Sequence, residues 1–221
     1  MAGSLNFERA RFNMVEQQVR PWDVIDTRVL DVLGEVKRED FVPPRHRKLA
    51  FADLALPLEH GESMMKPVVE GRLLQALAVQ ADDEVLEIGT GSGFVTACLA
   101  RLGRMVTSLE IHADLADRAR ARLGTAGIRN AEVLHADGLK GFRPDRGYDV
   151  IAVTGAVASV PQAFKDWLRP GGRLFVVRGQ SPVMEAIVYT RKSESWFEEQ
   201  SLFETDLKYL AGAEPPPRFQ V

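Results

Sequence analysis

The stretch Val85-Leu86-Glu87-Ile88-Gly89-Thr90-Gly91-Ser92-Gly93 joins a continuous apolar run to three glycines at alternate positions. A helical apolar pattern begins at Phe94, so the stretch predicts a strand, a tight loop and a helix. Glycines lack a Cβ and therefore let the loop backbone come close to a ligand. The amides of the loop and of the first helical turn favour a negatively charged group there.

The spacing of the glycines and a second acidic residue narrow the kind of ligand. The pattern is G-x-G-x-G with Glu87 two residues before Gly89, whereas dinucleotide-binding folds show G-x-G-x-x-G. A second predicted strand, residues 105–109, ends at Glu110, which follows Gly89 by 21 residues. An acidic residue about 20 positions after the first glycine commonly holds ribose hydroxyls. These features predict a nucleoside cofactor, and the glycine pattern resembles motif I of the S-adenosylmethionine-dependent methyltransferases.

Length, charge and cysteine content exclude several classes of protein. The 221 residues are expected to form one domain, and 28 basic against 31 acidic residues give a net charge of −3. Nothing in this balance indicates a nucleic acid or an anionic membrane as partner. The single cysteine, Cys98, lies in a helical pattern and is expected to be a core residue in a reducing compartment. No apolar stretch reaches ~18 residues and no signal peptide pattern opens the chain, so we expect a cytoplasmic protein.

The amino-terminal part predicts an amphipathic helical cover packed on the sheet, followed by a loop. Phe12, Val15 and Val19 recur at helical spacing and should face inward until Arg20-Pro21 stops the helix. Asp26 can cap a second helix, which would bury Val29, Leu30, Leu33 and Val36. The irregular residues 53–67 then form either a substrate-facing loop or a surface connector.

The rest of the chain predicts a doubly wound α/β sheet. Further strands are expected at residues 131–135, 148–153 and 173–177, and residues 185–191 and 196–203 predict an antiparallel pair at one edge. The expected fold is a Rossmann-like, mostly parallel seven-stranded sheet with an antiparallel edge and an N-terminal helical cover. We divide the single methyltransferase domain into a cover and loop (1–80), a nucleotide-binding core (81–178), and edge strands with a tail (179–221).

Three connecting segments complete this interpretation. Residues 113–123 predict a helix on which Asp114 and Arg118 pair at i,i+4 on a solvated face. Residues 161–168 predict a helix that ends at the turn Arg169-Pro170-Gly171-Gly172. Residues 212–221 carry three prolines and predict a tail over the surface. Since ligands of parallel sheets bind beyond the carboxyl ends of strands, four residues should converge there, namely Gly89, Glu110, Asp137 and Thr154.

Segments over nearly the whole chain resemble the protein-L-isoaspartate O-methyltransferase family. The glycine and Pro-Gly-Gly segments are common to many methyltransferases. The amino-terminal segment is specific to far fewer proteins, and it is the one that points to this family. The matching segments are Met14-Val15-Glu16-Gln17-Gln18-Val19-Arg20, Arg38-Glu39-Asp40-Phe41-Val42-Pro43, Leu56-Pro57 with His60-Gly61, Leu86 to Gly93, Asp137-Gly138, Val153-Thr154 and Leu168-Arg169-Pro170-Gly171-Gly172-Arg173-Leu174.

The resemblance implies that S-adenosylmethionine is the cofactor and assigns residues to it. Glu110 would hold the ribose hydroxyls, Asp137 would accept from the adenine amine, and the Gly138 amide would face the ring nitrogens. The other residues implied to border the cofactor are Glu87, Gly89, Thr90, Gly91, Gly93 and Thr154.

One departure from the family pattern concerns the substrate loop. The family's segment after His-Gly has a threonine, an apolar residue, a serine, any residue and a proline, and its serine lies beside the substrate carboxylate. Here Ser63 keeps a hydroxyl at the threonine position, but Met65 replaces the serine and cannot donate a hydrogen bond. Lys66 either supplies a positive charge to the substrate or is solvated.

The implied reaction is methylation of the carboxylate of L-isoaspartyl residues in damaged proteins or peptides. A carboxyl group with a pKa near ~4 is already ionised at neutral pH, so this displacement needs no general base. No metal-ligand spacing links the four histidines. Two alternatives stay open: a related enzyme with a different methyl acceptor, and a cofactor-binding module without turnover.

Overall fold

Nine strands form two sheets in the computed structural model, which describes residues 6–216. A small antiparallel ladder pairs β1 (Leu56–Pro57) with β2 (Ser63–Met64). The large sheet contains β3 (Glu84–Ile88), β4 (Met105–Glu110), β5 (Ala131–His135), β6 (Tyr148–Val157), β7 (Leu168–Gln180), β8 (Val183–Arg191) and β9 (Phe197–Thr205).

The large sheet has the order β5-β4-β3-β6-β7-β8-β9. The first five of these strands run parallel, and β8 and β9 add an antiparallel edge. The predicted fold class is therefore confirmed. The glycine loop follows β3 in the middle of the sheet, where the connections leave in opposite directions to β4 and β6, and ligands of open parallel sheets bind at such a position.

Six α-helices flank the strands within residues 6–216. They are α1 (Phe7–Met14), α2 (Thr27–Glu35), α3 (Pro67–Leu77), α4 (Phe94–Leu102), α5 (Ala113–Thr125) and α6 (Gln162–Asp166). Apolar residues of α2 to α5 join one core cluster, and α6 with the segment before β6 joins another that contains Leu86 and Ile151. Both faces of the parallel strands are thus covered, which such strands require. Cys98 is fully buried in the first cluster, as predicted. No helix within residues 6–216 has the length and apolar character to cross a bilayer.

The N-terminal cover differs from its prediction in two respects. It packs chiefly on α3 and α4, so it forms a layer above helices rather than directly on the sheet. Phe12 is 63% exposed, and its expected inward position is wrong. The helix changes to a π-helix at Val15–Val19. Val15 and Val19 are buried as predicted, and Arg11 and Met14, rather than Phe12, are buried in the preceding turn. Asp26 caps α2 as predicted, by accepting from the amide of Arg28 at 2.9 Å.

Strands β6 and β7 extend furthest beyond their predicted ends. The helix expected at residues 161–168 is limited to α6, and β7 already begins at Leu168. The Pro-Gly-Gly segment therefore lies within β7. The pairing of β7 with β6 is interrupted there, after Leu168, and resumes at Arg173. The strand expected at residues 148–153 continues to Val157 as β6. Its pairing with β7 shifts register between Ala152 and Ala156, so residues 153–155 are displaced from the regular ladder with β7.

The charged face of α5 is also not simply solvated. Asp114 and Arg118 pair with each other at 3.5 Å, and they contact the loop before β2 as well. Asp114 lies 2.7 Å from the Nε2 of His60, and Arg118 lies 2.6 Å from the Oε1 of Glu59. These contacts fasten the loop to the helix that follows Glu110.

The segment after β9 returns across the carboxyl ends of the parallel strands. Tyr209 pairs in parallel with Ala156, and the Ala156 amide donates to the Lys208 carbonyl at 2.8 Å. The predicted surface tail begins after this segment, with Ala213 still accepting from the Ala158 amide. Residues 217–221 of that tail lie outside the described residues.

Candidate active site

The glycine loop and the irregular part of β6, residues 153–155, form the floor of a cleft at the carboxyl ends of the strands. Gly89 has a φ of +102°, and a Cβ there would lie 2.5 Å from the Oγ1 of Thr154. The Thr154 hydroxyl donates to the carbonyls of Ile88 and Gly89, which locks the two loops together. Only glycine combines this backbone angle with this close approach.

The cleft encloses about 670 Å³, including the space at its open mouth. Apolar side chains of Ile88, Leu109, Ile111, Leu139 and Leu210 form much of its wall. Seven of the sequence-predicted site residues border it together, namely Ser63, Gly89, Gly91, Glu110, Asp137, Gly138 and Thr154.

Glu110 lies at the end of β4 and is 4% exposed. Its Oε2 accepts from the Gly91 amide at 2.7 Å, and its Oε1 accepts from the His112 amide at 3.0 Å. Two backbone donors therefore fix the carboxylate at the edge of the cleft. Each carboxylate oxygen can accept more than one hydrogen bond, so Glu110 keeps the capacity to accept from a diol.

Asp137 follows β5 and is held in a similar way. Its Oδ1 accepts from the amides of Leu139 and Lys140 at 2.8 and 3.0 Å. Its Oδ2 makes no hydrogen bond with the described residues and can accept from a ligand amine. A Cβ at Gly138 would lie 2.6 Å from the Cγ2 of Ile88, so a bare backbone amide is required next to this carboxylate.

A smaller cavity of about 300 Å³ lies on the other side of the glycine loop. Ser63, Gly89, Gly91 and Thr154 border both spaces, so the small cavity adjoins the cleft. Three further predicted residues, Glu87, Thr90 and Met65, border the small cavity only. Met65 is 4% exposed and belongs to the wall of this cavity.

Glu87 is fully buried at the centre of a hydroxyl network. Its Oε2 accepts from Thr96 and Ser108, both at 2.5 Å, and the Ser108 hydroxyl lies 2.5 Å from that of Thr90. Burial raises the pKa of Glu87 to about 8, against the lowering effect of the two hydroxyl donors. The group is therefore a neutral acid at pH 7, and the network fixes the end of β3 against α4 and β4.

Two predicted residues border neither space. Gly93 is the N-cap of α4 and has a φ of +87°, and a Cβ there would lie 3.3 Å from the Cβ of Ala119, so this glycine permits α5 to pack against the loop. Lys66 is exposed and precedes the first residue of α3. The structure does not bring its side chain to the cleft.

Sequence reasoning missed the C-terminal wall of the cleft, residues 207–211. The Lys208 ammonium donates to the Gly61 carbonyl, which links this wall to the substrate loop. Leu210 packs against Gly155, where a Cβ would lie 2.7 Å from its Cδ2. The glycine at position 155 was the sequence signal for a close approach, but the sequence does not indicate which segment approaches.

The residues around the cleft fit S-adenosylmethionine. Two carboxylates, one at the end of β4 and one after β5, supply hydrogen-bond acceptors for a nucleoside, and the bare amide after β5 supplies a donor. The glycine loop leaves free the space that a Cβ would fill. With the mostly parallel sheet and its antiparallel edge, these features define an S-adenosylmethionine-dependent methyltransferase with a Rossmann-like fold.

Comparison with known proteins identifies the family. The family model described as protein-L-isoaspartate(D-aspartate) O-methyltransferase matches residues 10–207. A protein-L-isoaspartate O-methyltransferase of Methanoculleus marisnigri is 38% identical, with coverage of 83% of this chain and 84% of that protein. One from Rhodopseudomonas palustris is 36% identical, with 91% and 93% coverage. The chain belongs to the protein-L-isoaspartate O-methyltransferase family.

A solved structure supports the fold. A Plasmodium falciparum protein assigned to the same family, in complex with S-adenosyl-L-homocysteine, superposes with a TM-score of 0.80. The match covers 90% of this chain and 97% of that one at 18% sequence identity. At this identity the similarity concerns the architecture alone.

Proposed function

We propose that this enzyme transfers the methyl group of S-adenosylmethionine to the α-carboxylate of L-isoaspartyl residues in damaged proteins or peptides, in the cytoplasm. The observation that carries the proposal is the position of the loop at Ser63 and Met65, which borders the cleft and the small cavity beside it. Family membership over residues 10–207 supports the same reaction. Ser63 from the amino-terminal part and Lys208 from the carboxyl-terminal part border one cleft, so we infer that the chain acts as a single unit.

The proposed cofactor contacts follow the geometry of the cleft. Glu110 would accept from the ribose hydroxyls, and Asp137 and the Gly138 amide would bind the adenine. Gly89, Gly91 and Thr154 would border the remainder of the cofactor, on the side next to the small cavity. Glu87 and Thr90 would support the glycine loop from beneath through their hydroxyl network.

The chemistry requires orientation rather than proton removal. The bound cofactor supplies an electrophilic methyl group on a sulfonium, and an ionised acceptor carboxylate is already a nucleophile. The protein aligns the acceptor oxygen with that methyl group and excludes water, which can contribute up to about 7 to 11 kcal/mol in favourable systems. The loop held by His60, Arg118 and Lys208 would position the acceptor.

Methyl ester formation on a synthetic isoaspartyl peptide tests the proposal directly. The purified protein is incubated with S-adenosylmethionine labelled in its methyl group, and the aspartyl peptide of the same sequence is the matched control. We expect base-labile label in the isoaspartyl peptide only. Normal cofactor binding without labelling of this peptide would exclude the acceptor assignment.

A different methyl acceptor is the second candidate, because Met65 is buried where the family pattern has a serine. The variant Met65→Ser discriminates between the two. If it creates isoaspartyl activity that the wild type lacks, the natural acceptor is another molecule. If the wild type is already active and the variant matches it, the second candidate is excluded. Turnover on any acceptor would also exclude a binding module without activity.

A further inference from the structure

Two buried glutamates border the small cavity, and each has one carboxyl oxygen without a partner among the described residues. Glu70 is 1% exposed and Glu87 is 0% exposed, and both border this cavity. The Oε2 of Glu70 and the Oε1 of Glu87 have no hydrogen-bond partner among the described residues. An unpaired buried polar atom costs about 1–3 kcal/mol, so its retention beside a cavity points to a ligand.

Glu70 is held in place by a fully buried arginine. The Nη1 of Arg38 donates to Glu70 Oε1 at 2.8 Å, and its Nη2 donates to the Met65 carbonyl at 2.9 Å. The Nε of the same guanidinium donates to the Ala50 carbonyl at 2.9 Å. Arg38 thus fixes both the carboxyl group and the backbone of the loop residue, and it leaves the second oxygen of Glu70 unpaired in a residue that borders the cavity.

The loop itself offers few donors to an acceptor carboxylate. Of the loop residues at this cavity, Ser63 offers a hydroxyl and Met65 has no side-chain donor, whereas the exposed Lys66 does not border the cavity. The Oε2 of Glu70 is buried in the wall that Met65 also forms. A carboxylic acid in its protonated form presents one O–H donor, which is the function that a serine hydroxyl would have there.

We propose that Glu70 is a specificity-determining residue of the acceptor site, and that its protonated Oε2 donates a hydrogen bond to the acceptor carboxylate in place of the missing serine hydroxyl. The proposal rests on the proposed function, because it assumes that the methyl acceptor is a carboxylate. Arg38 contributes one positive charge to this buried region, whereas Glu70 and the acceptor could contribute two negative charges. Two adjacent carboxyl groups share one proton in such an arrangement.

Four charged or titratable groups surround Glu70. Arg38 is hydrogen-bonded to it, Asp53 lies on the preceding loop, Cys98 lies on α4, and Glu87 lies across the cavity. Burial raises the pKa of Glu70 to about 7, against the lowering effect of Arg38. Acceptor binding favours the protonated form further. The affinity for the acceptor should therefore fall as the pH rises above about 7.

The test measures kcat and KM for an isoaspartyl peptide from pH 6 to 9, at saturating S-adenosylmethionine. In Glu70→Gln the amide nitrogen donates at every pH, so we expect a KM within about threefold of the wild type at pH 7 and no increase of KM at alkaline pH. In Glu70→Met the donor is lost, and KM should rise about 10- to 100-fold. Affinity for S-adenosylhomocysteine should change little in either variant.

Glu39 provides a matched control. It is 5% exposed, pairs with the buried Arg11 at 2.6 Å and also has an unpaired Oε2, but it does not border the small cavity. Glu39→Gln should leave the pH profile of KM unchanged. Adding Met65→Ser to Glu70→Met should lower KM again, because it restores a hydroxyl at the wall of the cavity.

Calorimetry on the wild type makes the test independent of whether the variants fold. Peptide binding in the presence of S-adenosylhomocysteine, measured at pH 8 in two buffers of different ionisation enthalpy, should show proton uptake. Absence of uptake, or a wild-type pH profile of KM in Glu70→Met, would overturn the role of Glu70. An equal loss in Glu70→Gln and Glu70→Met would also overturn it, because the negative charge would then be what matters. A wild type that binds cofactor but labels no isoaspartyl peptide removes the proposed function, and this inference with it.

Discussion

The imidazole of His60 stacks on that of His112, with ring centroids 4.2 Å apart and planes 8° from parallel. His60 belongs to the loop that precedes Ser63, whereas His112 follows Glu110, whose carboxylate accepts from the His112 amide. Asp114 lies 2.7 Å from the Nε2 of His60, and this hydrogen bond lowers the pKa of the Asp114 carboxyl group. The loop that borders the proposed acceptor site is therefore attached to the residue proposed to hold the cofactor ribose.

Removal of this stack should weaken binding of the acceptor. We expect His60→Ala to raise KM for an isoaspartyl peptide up to about tenfold, because an aromatic pair contributes about 0.5–1.5 kcal/mol. The value of kcat should change less, since no proton transfer depends on the imidazole. His46→Ala is the control, because His46 lies in a turn that does not border the cleft. An unchanged KM in His60→Ala would show that the loop does not need this contact.

Glu110 should contribute strongly to cofactor affinity. Glu110→Gln removes a charge that two backbone amides hold at the edge of the cleft. Hydrogen bonds to charged groups are worth about 1.5–3 kcal/mol, so affinity for S-adenosylhomocysteine should fall about 10- to 100-fold. Isothermal titration calorimetry measures this loss. Glu132→Gln on the neighbouring strand, where the side chain is exposed, should retain wild-type affinity. Equal affinities for all three proteins would contradict the assignment of Glu110.

Gly89 should not tolerate a side chain. In Gly89→Ala the new Cβ would lie 2.5 Å from the Oγ1 of Thr154, and the φ of +102° is unfavourable for alanine. We expect cofactor binding to be abolished and the free energy of unfolding to decrease. Gly124→Ala on α5 is the control, because nothing lies within 4 Å of its Cβ position. That variant should be more stable by about 0.5–1 kcal/mol, and denaturation curves of the two variants test both expectations.

Glu87 should make the stability of the protein depend on pH. Its folded pKa is about 8, whereas an unfolded glutamate titrates near ~4.3. Between these values the folded protein keeps a proton that the unfolded chain has released. The free energy of unfolding should therefore fall as the pH rises through this window, by at most about 1.4 kcal/mol per unit for this group. Glu70, with a pKa of about 7, adds to the slope up to that pH.

The variant Glu87→Gln isolates the contribution of Glu87. Its amide oxygen can still accept from Thr96 and Ser108, but the group no longer titrates. Urea unfolding at intervals between pH 5.5 and 8.5 should give a shallower pH dependence than in the wild type. The exposed Glu132→Gln should reproduce the wild-type slope. Parallel curves for the wild type and Glu87→Gln would mean that Glu87 is ionised in the folded protein.

Much of the fold could be predicted because its signals are local. The apolar run before Gly89 and the later alternating segments predicted all seven strands of the large sheet, and Asp26 capped the expected helix. The errors lie where tertiary contacts override local preference. Phe12 is exposed because the helix changes to a π-helix three residues later, and Leu168, expected to lie in a helix, instead pairs with Tyr148 of β6.

The sequence by itself determined the class of cofactor, because glycine spacing, the offset of Glu110 and the position of Asp137 after a strand are all properties of the chain order. Only the tertiary structure decided how the acceptor region is built. It buried Glu70 against Arg38 beside Met65, placed Lys208 across from Gly61, and stacked His60 on His112. These pairs are 32, 147 and 52 residues apart in the chain. No local pattern encodes such contacts, since they arise when distant segments pack over the same edge of the sheet.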